Sequence, residues 1–384
     1  MESILDYYRN KRVLITGHSG FKGSWLSLWL RELGACLSGI SLERPSHPCH
    51  WDMLSLDIDE EKADIRDYDR VLSVFKRTRP EIVFHLAAQP LVRRSYIYPL
   101  ETWETNVIGT ANILEACRMC KSVQAVVVIT SDKCYENKEW DWGYRETDRL
   151  GGYDPYSASK AAVELLTSSY RQAFFSLQDK PLIATARAGN VIGGGDWAEN
   201  RLIPDIVRSV VSKTSLEVRC PTAKRPWQHV LEPLAGYLIL GQKLLAGKKE
   251  FATAWNFGPK QEANKTVKDI LLAMKVHWPD IQWHISEHSH NHEANLLYLD
   301  SSKAENLLNW QSIWSLDTAI TKTVDWYKSY IGEKQIVSLA HINDYMIHAQ
   351  EICIPDHLKR GKGTGEECLS TYLSFQRMAA RERE

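Results

Sequence analysis

The sequence predicts an α/β protein: a doubly wound parallel sheet of the Rossmann type with a smaller C-terminal α/β part. Three observations lead there. An apolar strand at residues 11–16 runs directly into Gly17-His18-Ser19-Gly20-Phe21-Lys22-Gly23 and then into a helix at 24–33. Apolar strands and amphipathic helices then alternate as far as residue 187, the pattern of a sheet with helices on both faces. From Gly189 the alternation loosens into Asn190-Val191-Ile192-Gly193-Gly194-Gly195-Asp196-Trp197, which reads as a loop leading into a second region. The expected division is 1–188 with a return to the sheet at about 225–260, then 189–330. Residues 331–384 form a C-terminal extension of weak periodicity, partly disordered, with Lys359 to Lys362 and Arg381 to Glu384 solvated.

Composition narrows the function. The net charge of −1 suggests no broad basic surface for nucleic acid. No basic-then-apolar leader and no run long enough to span a bilayer are present, so a cytoplasmic protein without membrane contact is expected. Eight Cys scattered over 384 residues read as reduced thiols rather than a disulfide framework. Cys117-x-x-Cys120 lies on an amphipathic helix with no second pair, which favours packing over metal. His284, His288, His290 and His292 sit among polar residues near a turn, and no metal site is expected there.

Each element carries its own argument. The strand at 11–16 needs the tight turn that the glycines permit, and the helix after it presents unpaired N–H groups and a positive dipole end. Together they suit a pyrophosphate. The second strand, at 36–41, ends near Glu43-Arg44. An acid there binds a ribose 2′-hydroxyl and favours NAD, whereas an Arg suits a 2′-phosphate; with both present the choice stays open. Asp64-Ile65 closes the next segment and can bond an adenine edge. A helix at 67–79 and a strand at 81–85 lead to Leu86-Ala87-Ala88, small enough to pass under a cofactor, and to Gln89. His85 reads equally well as a satisfied buried histidine. An amphipathic helix at 101–119 includes Asn106. The run at 123–130 is apolar throughout, as a strand buried on both faces requires, and it ends in Ser131-Asp132-Lys133. Polar groups at the carboxyl end of a central parallel strand point toward the ligand crevice.

The next helix opens with Pro155-Tyr156-Ser157-Ala158-Ser159-Lys160. Positions i and i+4 share a helix face, so the Tyr156 phenol and the Lys160 ammonium stack. That pair can act as a base toward an alcohol. Moving a tyrosine from ~10 to ~7 requires about 4 kcal/mol of preference for phenolate, which a neighbouring cation can supply. The plain alternative is a capped helix start with a surface lysine. A strand at 182–187 follows, then a helix at 201–211, then Arg225-Pro226-Trp227-Gln228-His229-Val230, whose Arg suits a diphosphate.

With these pieces in order, the chain resembles the nucleotide-sugar branch of the extended short-chain dehydrogenase/reductase family over about residues 8–330. The resemblance is carried by Gly17-x-x-Gly20-x-x-Gly23, Asp64-Ile65, Leu86-Ala87-Ala88, Thr130-Ser131 and Tyr156-x-x-x-Lys160. Gln89-Pro90-Leu91-Val92-Arg93 and Ser131-Asp132-Lys133-Cys134-Tyr135 add to it. It implies dehydration of CDP-D-glucose to the 4-dehydro-6-deoxy sugar, with NAD as cofactor. In that scheme Tyr156 takes the C4 hydroxyl proton, Lys160 holds the nicotinamide ribose, and Ser131 bonds the C4 oxygen. Asp132 acts as the general acid. Lys133, where related dehydratases carry Glu, is either the C5 base or a cation that stabilises the enolate. The cofactor lies on Gly17 to Gly23, Asp64, Ile65, Leu86 to Ala88, Asn106, Tyr156 and Lys160. The substrate meets Gln89, Asn190, Arg201 and Arg225. Glu293-Ala294-Asn295 departs from the family's phosphate-binding Arg. The family pairs subunits through two helices each, here about 101–119 and 155–175, which implies a homodimer or a dimer of dimers.

Three other readings share these residues. A dehydratase of a different nucleotide sugar fits them as well, because fold and core chemistry do not fix the base. A nucleotide-sugar 4-epimerase needs Ser131, Tyr156 and Lys160 but no acid at 132, so Asp132-Lys133 disfavours it. A non-catalytic dinucleotide sensor on the same fold typically lacks the Tyr or the Lys, and both are present.

Overall fold

The computed structural model describes residues 7–176, 181–286 and 296–353. In chain order it begins β1 (Arg12–Thr16), α1 (Phe21–Glu32), β2 (Cys36–Ser41), α2 (His50–Leu54), β3 (Asp59–Lys62), α3 (Tyr68–Thr78), β4 (Ile82–His85), α4 (Val92–Ile97) and α5 (Pro99–Trp103). After a π-helical turn at Glu104–Ile108 come α6 (Gly109–Met119), β5 (Ala125–Ile129), α7 (Pro155–Ala173), β6 (Leu182–Ala188), β7 (Val191–Ile192), α8 (Leu202–Val211), β8 (Leu216–Val218), β9 (Lys224–Pro226) and β10 (Gln228–His229). The remainder is α9 (Leu231–Leu245), β11 (Ala254–Phe257), β12 (Asn264–Thr266), α10 (Val267–His277), β13 (Trp283–Ile285), α11 (Ser302–Leu308), α12 (Leu316–Glu333) and α13 (Ser338–Cys353).

Seven strands form one sheet in the order β11-β6-β5-β4-β1-β2-β3. Every neighbouring pair is parallel. The order reverses between β1 and β4, so the crevice of a doubly wound sheet opens at their carboxyl ends. β4 and β5 are buried at every residue, as helices on both faces require. One apolar core lies between the sheet and α1, α9, α12 and α13; a second lies under α3, α6 and α7. The edge strand β3 reads Asp-Glu-Glu-Lys and is mostly exposed. Its charges discourage pairing with another edge, and the absence of apolar alternation hides it from a sequence reading.

Two expectations shift. The first helix starts at Phe21, three residues early, because Gly20 is its N-cap and Phe21 opens its first turn. The single helix expected at 101–119 is interrupted by the π-helical turn, which turns Asn106 into the interior. Helix α13 carries the described chain to residue 353, with Ile342 and Tyr345 fully buried in the larger core. Residues 354–384, with Lys359 to Lys362 and Arg381 to Glu384, lie outside the described residues, as do His288, His290, His292 and the 293–295 segment. His284 ring Nδ1 sits 3.0 Å from Ser215 Oγ, and the described residues contain no cluster able to hold a metal.

Candidate active site

A cavity of about 1970 Å³ runs along the carboxyl ends of the sheet. One arm is bounded by the Gly17–Gly23 turn and the ends of β2 and β3. The other is bounded by Asn190, Arg201, Arg225 and β8. Tyr156, Ser131, Asp132 and Lys160 line the middle.

The glycine turn is built for close approach. Gly17 has φ +73°, and a Cβ there would fall 2.8 Å from the Ala87 backbone nitrogen. A Cβ on Gly23 would fall 2.1 Å from the Gly17 carbonyl oxygen. Only glycines let the turn fold back onto α1 and leave its N-terminus facing the cavity. His18 departs from the expected cofactor contact. Its ring is fully buried under β2, 3.4 Å from Glu60 and edge-on to Trp51, away from the cavity lining. At the end of β2, Glu43 lines the cavity and pairs with Lys62, whereas Arg44 is held by Asp52 at 2.6 Å and Glu60 at 2.5 Å. Two carboxylates therefore occupy the guanidinium that a 2′-phosphate would need. Asp64 and Ile65 line the same arm, with Asp64 paired to Arg66 at 2.7 Å.

Helix α7 begins where the sequence requires. Asp154 caps it, accepting from the Ser157 backbone N–H at 2.9 Å, and Pro155 fills the first turn. Such a cap is worth about 1 kcal/mol and fixes where Tyr156 emerges. Burial pushes the Tyr156 phenol up to about 12, against the hydrogen bond from Ser131, which lowers it. The expectation of a phenol lowered by Lys160 is therefore not met: desolvation dominates at Tyr156. Lys160 is itself brought down to about 8 by burial, while Glu164 holds it up, and its ammonium donates to the Ile129 carbonyl at 3.3 Å.

Ser131, Asp132 and Lys133 leave the end of β5 in a 3₁₀ turn. Ser131 Oγ donates to Asp132 Oδ1 at 2.9 Å and accepts from the Lys133 backbone N–H at 3.2 Å. Asp132 is buried, and that desolvation raises its pKa despite the Lys133, Lys22 and Arg225 cations nearby. A carboxyl held toward its neutral form can donate a proton. Lys22, quoted in the sequence only as part of the turn, reaches the site: its ammonium lies 3.4 Å from the Tyr237 hydroxyl, and burial lowers it to about 8.

Asn106 does not line the cavity. Its carbonyl accepts from the Gln89 backbone N–H at 2.8 Å, and its amide donates to Ser159 Oγ at 2.8 Å, so it clamps the loop after β4 to α7. Gln89 does line the cavity, with its amide engaged by Thr102 and by the Leu91 backbone. Arg201 faces the second arm while paired to Asp196 at 3.1 Å. Sequence reasoning missed Arg93 and Arg208, which add cations to that arm. Arg93 donates to Asn200 at 3.3 Å, and Arg208 to the Trp197 carbonyl at 3.1 Å. Arg93 closes the Gln89 to Arg93 motif, whose sequence reading singles out Gln89 alone; Arg208 lies in no recognisable spacing, and only the fold brings it to the cavity.

A glycine turn on a parallel sheet, with Tyr-x-x-x-Lys and Ser around one cavity, defines the extended short-chain dehydrogenase/reductase class that works on nucleotide sugars. A family model described as GDP-mannose 4,6 dehydratase matches residues 14–323, and the chain belongs to that family. It is 47% identical over 350 residues to a CDP-glucose 4,6-dehydratase of Salmonella typhimurium, covering 89% of this chain and 98% of the relative. Among solved structures it resembles an epimerase from Methanothermobacter thermautotrophicus, with TM-score 0.77, 22% identity and coverage of 85% and 95%. It also resembles the dTDP-glucose 4,6-dehydratase DesIV of Streptomyces venezuelae, with TM-score 0.70, 22% identity and coverage of 83% and 98%. These two likenesses bear on the fold alone.

Proposed function

We propose that the protein is an NAD-dependent hydro-lyase that converts CDP-D-glucose to CDP-4-dehydro-6-deoxy-D-glucose. The observation that carries this is a buried carboxyl, Asp132, set one residue beyond Ser131 and in the same cavity as Tyr156 and Lys160. An alcohol oxidation needs only the last three; an added buried acid suits expulsion of water. The extensive identity to a CDP-glucose dehydratase supports the nucleotide.

The residues fit NAD. Gly17 and Gly23 permit a turn that any Cβ would break by collision with backbone, so the N-terminus of α1 faces the cavity; Glu43 stands at the end of β2, and Arg44 is already neutralised by Asp52 and Glu60. Gly17, Ser19 to Gly23, Asp64, Ile65, Leu86 to Ala88, Tyr156 and Lys160 would hold it. Bound there, NAD supplies an acceptor for hydrogen at C4 and its return to C6. The chain supplies the proton chemistry. Tyr156 takes the C4 hydroxyl proton; Lys160 and the positive cofactor offset the burial that otherwise keeps the phenol protonated. Ser131 holds the C4 oxygen. A C4 ketone acidifies C5, and Asp132 gives a proton to the departing C6 hydroxyl. Lys133 stands beside Asp132 as C5 base or as the cation facing the enolate. Asn190, Arg201 and Arg225 face the diphosphate, with Arg93 and Arg208 adding charge.

The surface of α4 to α7 supports a homodimer or a dimer of dimers. Ile97, Leu100, Ile108, Leu165 and Phe174 are exposed there, Leu100 by 75% and Leu165 by 62%. Apolar exposure of that kind marks an interface. Unbridged thiols among the described cysteines suit the cytoplasm.

The test is turnover of CDP-glucose, dTDP-glucose, UDP-glucose and GDP-mannose with NAD, read by mass spectrometry. Loss of one water from CDP-glucose, without net reduction of NAD, is expected. An isomer of unchanged mass would make the protein an epimerase.

A further inference from the structure

The buried polar groups beneath α7 take no part in the chemistry above, yet they converge on one ion pair. Glu164 and Arg187 are both buried, with their charged atoms 2.8 Å apart. Glu164 Oε1 accepts from Thr130 Oγ1 at 2.5 Å, and Oε2 accepts from Thr185 Oγ1 at 2.7 Å. Arg187 donates to the Tyr135 hydroxyl at 2.6 Å, and that hydroxyl donates to Asn256 at 2.8 Å. Thr130 and Tyr135 are the residues immediately before and after Ser131 to Cys134. Both ends of the segment bearing Ser131 and Asp132 are thus fastened to one pair. Glu164 also lies one helical turn beyond Lys160 and two beyond Tyr156, on the same face of α7.

Stability alone is a weak reason for such a pair. Desolvating two charges costs about what their attraction returns, and apolar replacements are often neutral or better. A pair bonded at once to the segment carrying Ser131 and Asp132 and to the helix carrying Tyr156 and Lys160 has a more specific use. We propose that Glu164 and Arg187 are positioning residues for the dehydration: they set the register of Ser131 and Asp132 against Tyr156 and keep Lys160 cationic. This rests on the reaction proposed above.

The charged groups around this node are few. Glu164 faces Arg187 from β6, with Arg171 and Lys160 on its own helix. Lys160 faces Glu164, Cys134 of the 3₁₀ turn, His85 of β4 and Lys22 of α1. Of these, Glu164 is the acid that supports the Lys160 charge.

Two variants test the inference. Glu164→Gln keeps the volume and an acceptor for the threonines but leaves Arg187 buried alone. Glu164→Gln with Arg187→Met removes both charges and so guards against misfolding by an orphan cation. Expected for the double variant is a cooperative fold, KM for CDP-glucose within about threefold, and kcat lower by about 10- to 100-fold, the scale of a misplacement near 1 Å. The alkaline limb of kcat should move to lower pH, because an acid one turn away no longer favours the ammonium. Lys160 should show the same shift in the nucleotide-free protein, read from ¹⁵N-lysine side-chain resonances assigned with Lys160→Arg. A pair serving structure alone would lower the melting temperature and leave both pH readings in place. Wild-type kcat and an unmoved Lys160 midpoint in the folded double variant would overturn the inference while leaving the reaction standing. A wild-type protein inactive on all four nucleotide sugars would remove the reaction and this inference together.

Discussion

Asp132→Asn separates the two halves of the proposed reaction. Asp132 is 4% exposed, and its Oδ1 accepts from Ser131. Asn has the same shape and can still accept that bond, so Ser131 keeps its place. Burial raises the Asp132 pKa, toward the neutral form that Asn reproduces in shape. What disappears is the transferable proton. A positioned general acid is worth about 10²–10⁴ in rate, or about 3 to 5 kcal/mol of barrier. Formation of the dehydrated product should fall by that factor, with KM within about threefold. Oxidation at C4 should persist, and with it exchange of the C5 hydrogen. The assay is incubation with NAD and CDP-glucose in deuterium oxide, with both recovered substrate and product analysed by mass spectrometry. Deuterium in recovered CDP-glucose, together with little product, is the expected outcome. Unimpaired dehydration would remove Asp132 from the mechanism. Equal loss of C5 exchange and of product would show that it acts before elimination. The same assay resolves Lys133: in Lys133→Met, C5 exchange vanishes if it is the base and persists if it is only a nearby cation.

Three further outcomes are expected. Burial depresses His50 and His85 to about 3 from 6.5; a base with a depressed folded pKa contributes stability above ~6.5 that is lost as pH falls toward ~3. At pH 5 the two together cost about 4 kcal/mol, so melting curves should show a large drop between pH 7 and pH 5, and a flat melting temperature over that range would contradict the assignment. In Gly194→Ala the new Cβ would fall 1.9 Å from the Trp326 ring, so a loss of about 1–3 kcal/mol is expected in urea unfolding, with CDP-glucose affinity falling more than NAD affinity; a neutral effect would mean that α12 yields freely. Leu100→Asp with Leu165→Asp should convert a dimer to monomer by light scattering, whereas an unchanged mass would place the interface elsewhere.

Much of this was legible in the residues because their meaning is local. The Gly17 turn, the all-apolar β5 and the Asp154-capped α7 each announce themselves within a dozen positions. What stayed hidden depends on distant partners. The glycine-motif histidine looks like a cofactor contact until β3, a strand of charges with no apolar alternation, supplies Glu60 beside it. Asn106 looks like a ligand group until the π-helical turn rotates it under Gln89. Tyr156 beside Lys160 suggests a lowered phenol, but desolvation outweighs the Ser131 hydrogen bond and the Arg201 cation. Residues 338–353 lack strong periodicity because α13 is wedged between several elements, with His50 of α2 bonded to Ser338 at 2.8 Å.

The seating of the glycine loop under α12 also bears on how the chain comes to be folded. Tyr327 bonds the Asp196 carbonyl across 131 positions of sequence, and Trp25 donates to the Gly194 carbonyl across 169. During synthesis the glycine turn and first strands leave the ribosome long before β11 can close the sheet edge, and the loop must wait longer still for Trp326 and Tyr327. Closing such long loops before their contacts repay the entropy slows folding and leaves apolar surface uncovered in the interval. The sheet that grips the cofactor is therefore completed only when β11 and the last helices have emerged, and its apolar face stays uncovered until then.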